Sequence, residues 1–409
     1  MRIGIDLRPL QNGHRYRGIG EVAKQVTNRI IRYGAKEKNS FVFYAYDDSN
    51  PLELLTIPKD VSYTIVGLGP MPERAANSFT KKQKLMRVYN ELISHPIKQS
   101  KDVDVFLQYD YAAGVPKNTR TVLVKHDLIP YIFWDKYFES AWVPFKNKAL
   151  RSTIRTLFAN YKFMRLLHRG LRNAHMIITV SNSTKEDLKR YFSIPGGKMK
   201  VAQLGVDKKP AKTNNSSNRP DMPSKPYLLF IGAGDARRRV DDAIAAFNNL
   251  RSQGYDLQFV LAGENFKSPE TIPNRVVRNE VMGSSYARDI LTMGYIDDKT
   301  KQTLYRDAIA YIYPTKYEGF GIPILEAMLM ECPVVVYNNS STYEVGGDFA
   351  LYAQDWEGIV RQVKKIIGWD DAERKLRKRE AKLHAEQFTW DKTAYTIYTE
   401  LKEVVRGST

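Results

Sequence analysis

The stretch Tyr313-Pro314-Thr315-Lys316-Tyr317-Glu318-Gly319-Phe320-Gly321-Ile322-Pro323-Ile324-Leu325-Glu326-Ala327-Met328 decides the fold. An apolar strand pattern, Ile309–Tyr313, ends in a glycine-containing loop and re-enters as a helical pattern, Pro323–Met330. Pro323 suits the first helical position, where a missing N–H costs nothing. Gly319 and Gly321 let backbone amides approach a ligand, and a helix start offers free N–H groups and positive partial charge to a phosphate. Glu326 is expected in the first helical turn, with Glu318 in the loop beside it. Either carboxylate can accept hydrogen bonds from a pair of sugar or ribose hydroxyls. The plainer alternative is that Glu326 only complements the helix dipole.

Outward from this unit the same strand–helix alternation recurs. Strands are expected at Tyr227–Ile231, Gln258–Ala262 and Val334–Tyr337, with helices at Val240–Leu250 and Lys299–Ala308. The first half repeats the pattern, with strands at Ile3–Leu7, Phe41–Tyr46, Ser62–Val66, Val103–Leu107, Thr121–Lys125 and Met176–Val180. A loop with Gly13, Gly18 and Gly20 follows its first strand and leads into Val22, Val26 and Ile30 at helical spacing. Ser181 or Ser183 is expected to cap a helix carrying Glu186 and Leu188. Between the halves, residues 208–226 hold Asn214-Asn215-Ser216-Ser217-Asn218 and four prolines, a linker composition. The reading is therefore α/β, two Rossmann-like domains facing each other across a cleft, since open parallel sheets bind ligands at their carboxyl ends. The expected domains are 1–207, which would hold the acceptor, and 227–390, which would hold the donor; a helix at 391–409 follows.

Three further stretches bear on chemistry. Phe230-Ile231-Gly232-Ala233-Gly234-Asp235-Ala236-Arg237-Arg238-Arg239 is a strand, a glycine turn and three arginines. Arginine clamps a diphosphate through charge-assisted bonds; the alternative is a solvated basic turn. His126, in Val124-Lys125-His126-Asp127-Leu128, follows a strand end and is either a substrate contact or a structural histidine. Tyr131–Arg172 interleaves aromatic residues such as Phe133, Trp134, Phe158 and Tyr161 with Lys136, Lys146, Lys148, Arg151, Arg155, Lys162, Arg165, Arg169 and Arg172. That mixture suits a helix lying in an anionic membrane interface, core packing with a basic face, or a grip on single-stranded nucleic acid.

The formal net charge of +18 points to an anionic partner without choosing among nucleic acid, membrane and phosphorylated substrate. The single cysteine, Cys332, excludes an intrachain disulfide and fits a reducing, cytoplasmic setting; a small buried residue is expected. No apolar run is long enough to span a bilayer, and the N-terminus reads as a strand rather than a signal peptide. Asp102-Val103-Asp104 matches a DxD metal pattern but begins an apolar strand. No zinc spacing and no complete phosphate-loop motif is present, so neither a metal nor a resident cofactor is expected.

Together these stretches resemble the retaining glycosyltransferases of family 4, with the GT-B fold, most strongly over 227–354. Glu318 and Glu326, eight positions apart, resemble the family's EX7E motif. Arg237 and Arg238 match its basic pair for the donor diphosphate, Gly18-Ile19-Gly20 its N-terminal glycine loop, and His126 the histidine near the transferred sugar. Phe388-Thr389-Trp390 is similar to the turn into a final helix that crosses back to the N-terminal domain. Glu331 stands where the family often has glycine, Tyr343 where it often has proline, and Arg238-Arg239 replaces the common Lys-Asn. The resemblance implies same-face transfer of a hexosyl unit from a GDP-, UDP- or dTDP-linked sugar to a glycan or lipid-linked acceptor. His126, Arg237, Arg238 and Glu318 would serve the reaction. Gly18, Gly20, Gly232, Gly319, Phe320, Gly321, Ile322, Pro323, Ile324 and Glu326 would bind the donor. A peripheral place on the inner face of the cell membrane, in cell-surface polysaccharide or glycolipid synthesis, goes with it. A basic nucleic-acid-binding protein is the rival from another class, and the carboxylate pair argues against it. A GT-B epimerase is the nearer rival.

Overall fold

A computed structural model describes residues 1–13, 15, 18–71, 102–109, 115–116, 118–134, 150–207 and 222–407. The side chains of 150–156 and 159 lie outside that description, as does most of the expected linker. The chain divides into two compact units, Met1–Gly205 with Trp390–Thr409, and Val206–Thr389.

In the first unit β1 (Arg2–Asp6), β2 (Ser40–Ala45), β3 (Tyr63–Gly67), β4 (Val105–Gln108), β5 (Thr121–Lys125), β6 (Met176–Thr179) and β7 (Met199–Val201) form one parallel sheet. Its order is β3-β2-β1-β4-β5-β6-β7. The interior strands are apolar because both faces are covered. Its longer described helices before residue 207 are α1 (Gly18–Lys36), α2 (Leu150–Asn173) and α3 (Asn182–Phe192). Ser181, not Ser183, caps α3 by accepting from the Thr184 amide at 3.0 Å.

The second unit holds β8 (Tyr227–Ile231), α4 (Val240–Ser252), β9 (Gln258–Ala262), α5 (Arg275–Gly283), β10 (Ile290–Gly294), α6 (Asp298–Asp307), β11 (Ala310–Tyr313), α7 (Ile322–Leu329), β12 (Val334–Tyr337), β13 (Leu351–Ala353), α8 (Trp356–Ile367) and α9 (Asp371–Ala385). The sheet order β10-β9-β8-β11-β12-β13 is the doubly wound order, with its switch point between β8 and β11. Glu331, where glycine was expected, takes the left-handed conformation at φ 58°, and its carboxylate pairs with Lys382 at 2.6 Å. Cys332 is buried, and that burial pushes its thiol up to about 12.

The last helix, α10 (Trp390–Arg406), belongs to the first unit and packs on α1. Asp391 at its start pairs with Arg29 at 3.2 Å and with Arg32. Further in, Tyr398 accepts from Asn39 at 2.7 Å and donates to Glu37 at 2.9 Å.

Candidate active site

At the second switch point the loop after β8 meets the loop after β11. The three arginines diverge there. Arg239, in the left-handed conformation, turns onto Asp241 and Asp242 in the first turn of α4. Arg237 turns the other way. Its Nη1 donates to the Tyr317 carbonyl at 2.8 Å and to Glu318 Oε1, and its Nε lies 3.3 Å from Asp235 Oδ1. Arg238 lies over the Tyr313 ring, with its Cζ 5.3 Å from the centroid. Its Nη2 is 3.7 Å from Glu318 Oε1 and its Nε 3.6 Å from Asp235 Oδ2. Those are ion-pair distances, and the buried Nε makes no hydrogen bond among the described residues. Gly232 leaves room for this: a Cβ there would meet Arg238 Nη1 at 2.5 Å.

Glu318 is 8% exposed. Its Oε1 also accepts from the Tyr313 hydroxyl at 2.7 Å and the Thr315 hydroxyl at 3.2 Å. Burial pushes the Glu318 carboxyl up, but Arg238 and Arg237 outweigh it and hold it below its ordinary value. For both arginines burial disfavours the charge, and the facing anionic groups overcome it. A buried carboxylate between two guanidinium groups is therefore ionised, and each charge compensates the others' loss of water.

The loop is braced from below. The Glu318 amide donates to Ser340 Oγ at 2.9 Å, and Ser341 Oγ donates to the carbonyls of Glu318 at 2.9 Å and Phe320 at 2.7 Å. Gly319 and Phe320 are buried, and the Phe320 ring packs edge-on against Phe388 at 6.0 Å. Gly321 caps α7 at φ 108°, a conformation glycine adopts without strain. The Ile324 amide is taken by the Gly321 carbonyl at 3.0 Å, and Pro323, the second helical residue rather than the first, carries no N–H. The amides of Gly321 and Ile322 make no hydrogen bond among the described residues. Glu326 is the fifth residue of α7, just past the first turn where it was expected, because the helix begins one residue earlier, at Ile322. Its Oε1 accepts from Lys301 Nζ on α6 at 2.9 Å, a partner that sequence reasoning missed.

The chain matches the family described as "Glycosyl transferases group 1" over residues 212–383 and that described as "Glycosyltransferase Family 4" over 23–209. It belongs to the group 1 glycosyltransferases. Among relatives of this chain, O-antigen chain mannosyltransferase B of Escherichia coli is 29% identical over 56% of this chain and 61% of its own length. The serotype-specific mannosyltransferase WbdA of Escherichia coli is 23% identical over 100% of this chain and 49% of its own length. The chain thus spans less than two thirds of the length of either. Among solved structures, sucrose-phosphate synthase of Thermosynechococcus elongatus superposes with a TM-score of 0.67 at 15% identity, over 100% of both chains. Anabaena Alr3699/HepE in complex with UDP-glucose gives 0.60 at 14% identity, also over 100% of both chains. At these identities the likeness is one of fold, GT-B with two Rossmann-like domains.

In the first unit, His126 follows β5 at the sheet's carboxyl edge and is half-buried; its carbonyl accepts from Thr184 Oγ1 at 3.4 Å. Gly18 and Gly20 stand in the first turn of α1 rather than in a loop before it, since the helix starts at Gly18. Of the basic aromatic stretch, 135–149 and the side chains of Arg151 and Arg155 lie outside the described residues; Phe158, Tyr161 and Arg165 are exposed on α2. Backbone groups near Gly263 and Met293–Tyr295, at the carboxyl ends of β9 and β10, are partly spent. The Gly263 amide donates to the Gly294 carbonyl and the Gly294 amide to the Phe266 carbonyl, each at 2.7 Å. Among the described residues, no group of three or more His, Cys, Asp or Glu could hold a metal ion, and no helix is long and apolar enough to cross a membrane.

Proposed function

We propose that this protein transfers a hexosyl unit, of the mannose type named for its relatives, from a nucleoside diphosphate sugar to an acceptor hydroxyl with retention at the anomeric carbon. The carrying observation is Arg238: a half-buried guanidinium whose buried Nε makes no hydrogen bond among the described residues, at a sheet switch point, beside two unengaged amides at a helix start. An anionic diphosphate matches those donors. As the sugar C1–O bond breaks, charge grows on the departing phosphate, and preformed donors stabilise it without reorganising. The acceptor oxygen bonds to C1 on the same face, and its proton passes to the leaving phosphate. Glu318 holds Arg237 in place, Glu326 takes the donor ribose, and His126 orients the sugar. On this reading the arginines and the helix-start amides stabilise that charge without a metal ion.

Polysaccharide or glycolipid assembly follows from the names of the O-antigen relatives. The exposed Leu157, Phe158 and Tyr161 beside Arg165 on α2 support peripheral binding to anionic lipid on the cytoplasmic face. Each basic residue near such a surface contributes about 1 kcal/mol, so changing Lys162, Arg165 and Arg172 to glutamine should abolish flotation with anionic vesicles; unchanged flotation removes that part.

The deciding experiment is thermal stabilisation by GDP, UDP and dTDP in wild type and Arg238→Ala. One nucleotide should stabilise by about 2.7 kcal/mol at a hundredfold excess over Kd, and the variant should lose the effect. Stabilisation by RNA in place of all three would overturn the reading.

A further inference from the structure

A positive side chain is tied to α7 from an element that carries no motif. Lys301 is the fourth residue of α6, on the same face as Leu304 and Tyr305, which are fully buried three and four positions on. An apolar residue is what that face calls for. Lysine stands there instead. Its ammonium reaches Glu326 Oε1 at 2.9 Å and, less closely, Asp298 Oδ1 at 3.4 Å. The Glu326 side chain is 27% exposed, so its carboxylate is held at one oxygen from the protein interior and is accessible from outside.

We propose that Lys301 is a positioning residue for the donor: it fixes Glu326 so that its carboxylate meets the ribose hydroxyl pair, and it cancels a charge that would otherwise repel the adjoining diphosphate. The inference rests on the donor-site reading above. Each carboxylate of the motif then has its own cation, Glu318 the arginines and Glu326 the lysine. Two bare carboxylates beside a diphosphate would be self-defeating. Burial disfavours the charge on the Lys301 ammonium, and Glu326 outweighs that, which raises its pKa above the ordinary lysine value. The device acts on binding, so it alters donor KM and leaves kcat nearly unchanged.

The test compares binding of GDP with 2′-deoxy-GDP, and of UDP with 2′-deoxy-UDP, in wild type, Lys301→Met, Lys301→Arg and Glu326→Gln. Wild type should prefer the ribonucleotide by about tenfold, the worth of one hydrogen bond to a charged group. Lys301→Met should bring that ratio close to one, as Glu326→Gln does, and Lys301→Arg should restore it. A Lys301→Met protein with a lower Tm and an undiminished ratio means that the lysine is structural only, and the inference falls while the donor site stands. Stabilisation by dTDP alone also overturns it, since that sugar has no 2′-hydroxyl to grip. If wild type responds to no nucleoside diphosphate, the donor site falls first and the inference with it.

Discussion

A buried arginine meets a buried carboxylate at the switch point of each sheet, and the two pairs are built differently. In the first unit Asp6 ends β1, and Arg8 lies two residues on. Arg8 donates from Nε to Asp6 Oδ1 at 2.8 Å and from Nη2 to Oδ2 at 2.7 Å, and its amide reaches Oδ1 at 3.1 Å. Both carboxylate oxygens are consumed within one turn of chain. In the second unit the partners of the Arg237–Glu318 pair lie 81 positions apart, and every contact converges on a single oxygen. A local pair shapes one turn. A distant pair locks two loops together and brings Arg238, with donor capacity to spare, to a sheet edge where a ligand can use it. Two buried ion pairs of similar chemistry therefore differ in what they connect, because of sequence separation.

The largest expected effect lies at the distant pair. Arg238→Ala should lower kcat by about a hundredfold to a thousandfold while the protein stays folded, as assays of sugar transfer beside circular dichroism will show. Activity within tenfold of wild type would mean that the charged edge is not the reactive one. Next, Glu318→Ala and Asp6→Ala should each cost about 3–5 kcal/mol in urea unfolding, since each strands a buried cation. Only Glu318→Ala should also remove stabilisation by the nucleoside diphosphate; loss in both variants would erase the distinction between the two pairs. His126→Ala should reduce transfer by about tenfold and leave nucleoside diphosphate binding unchanged, measured by calorimetry.

The smallest effect is on pH dependence. The folded carboxyl of Glu318 titrates below its ordinary value of 4.5, so its contribution to stability is complete above that pH and is lost as acid passes through the lower folded value. Tm should therefore drop more steeply in acid for wild type than for Glu318→Gln. Parallel curves would show that the arginines do not hold the charge.

Much of this was legible in the residues. β5, β8, β9 and β12 lie where the apolar runs placed them, because parallel strands covered on both faces are continuous hydrophobic stretches. β7 and β13 were missed, since three residues carry no period. β10 was missed because Thr292 and Gly294 break its short apolar run. α8 was passed over although Asp355 caps it in plain sight, accepting from the Gly358 amide at 2.7 Å. Lys301, Asp6 and Arg8 escaped notice for one reason: a charged residue in a helix or after a strand reads as solvated unless its partner is known.

By itself, the sequence determined two α/β units, the loops that end their strands, and the residue types gathered at those ends. These are local properties, written in alternation, glycine, proline and capping side chains. Only the tertiary structure decided that Arg239 turns away while Arg237 and Arg238 turn in, that Glu318 is buried between guanidinium groups, and that Glu326 is held by Lys301. Each depends on the distance between elements far apart in the chain, and Coulomb energy in a dry interior follows that distance, which no local pattern records.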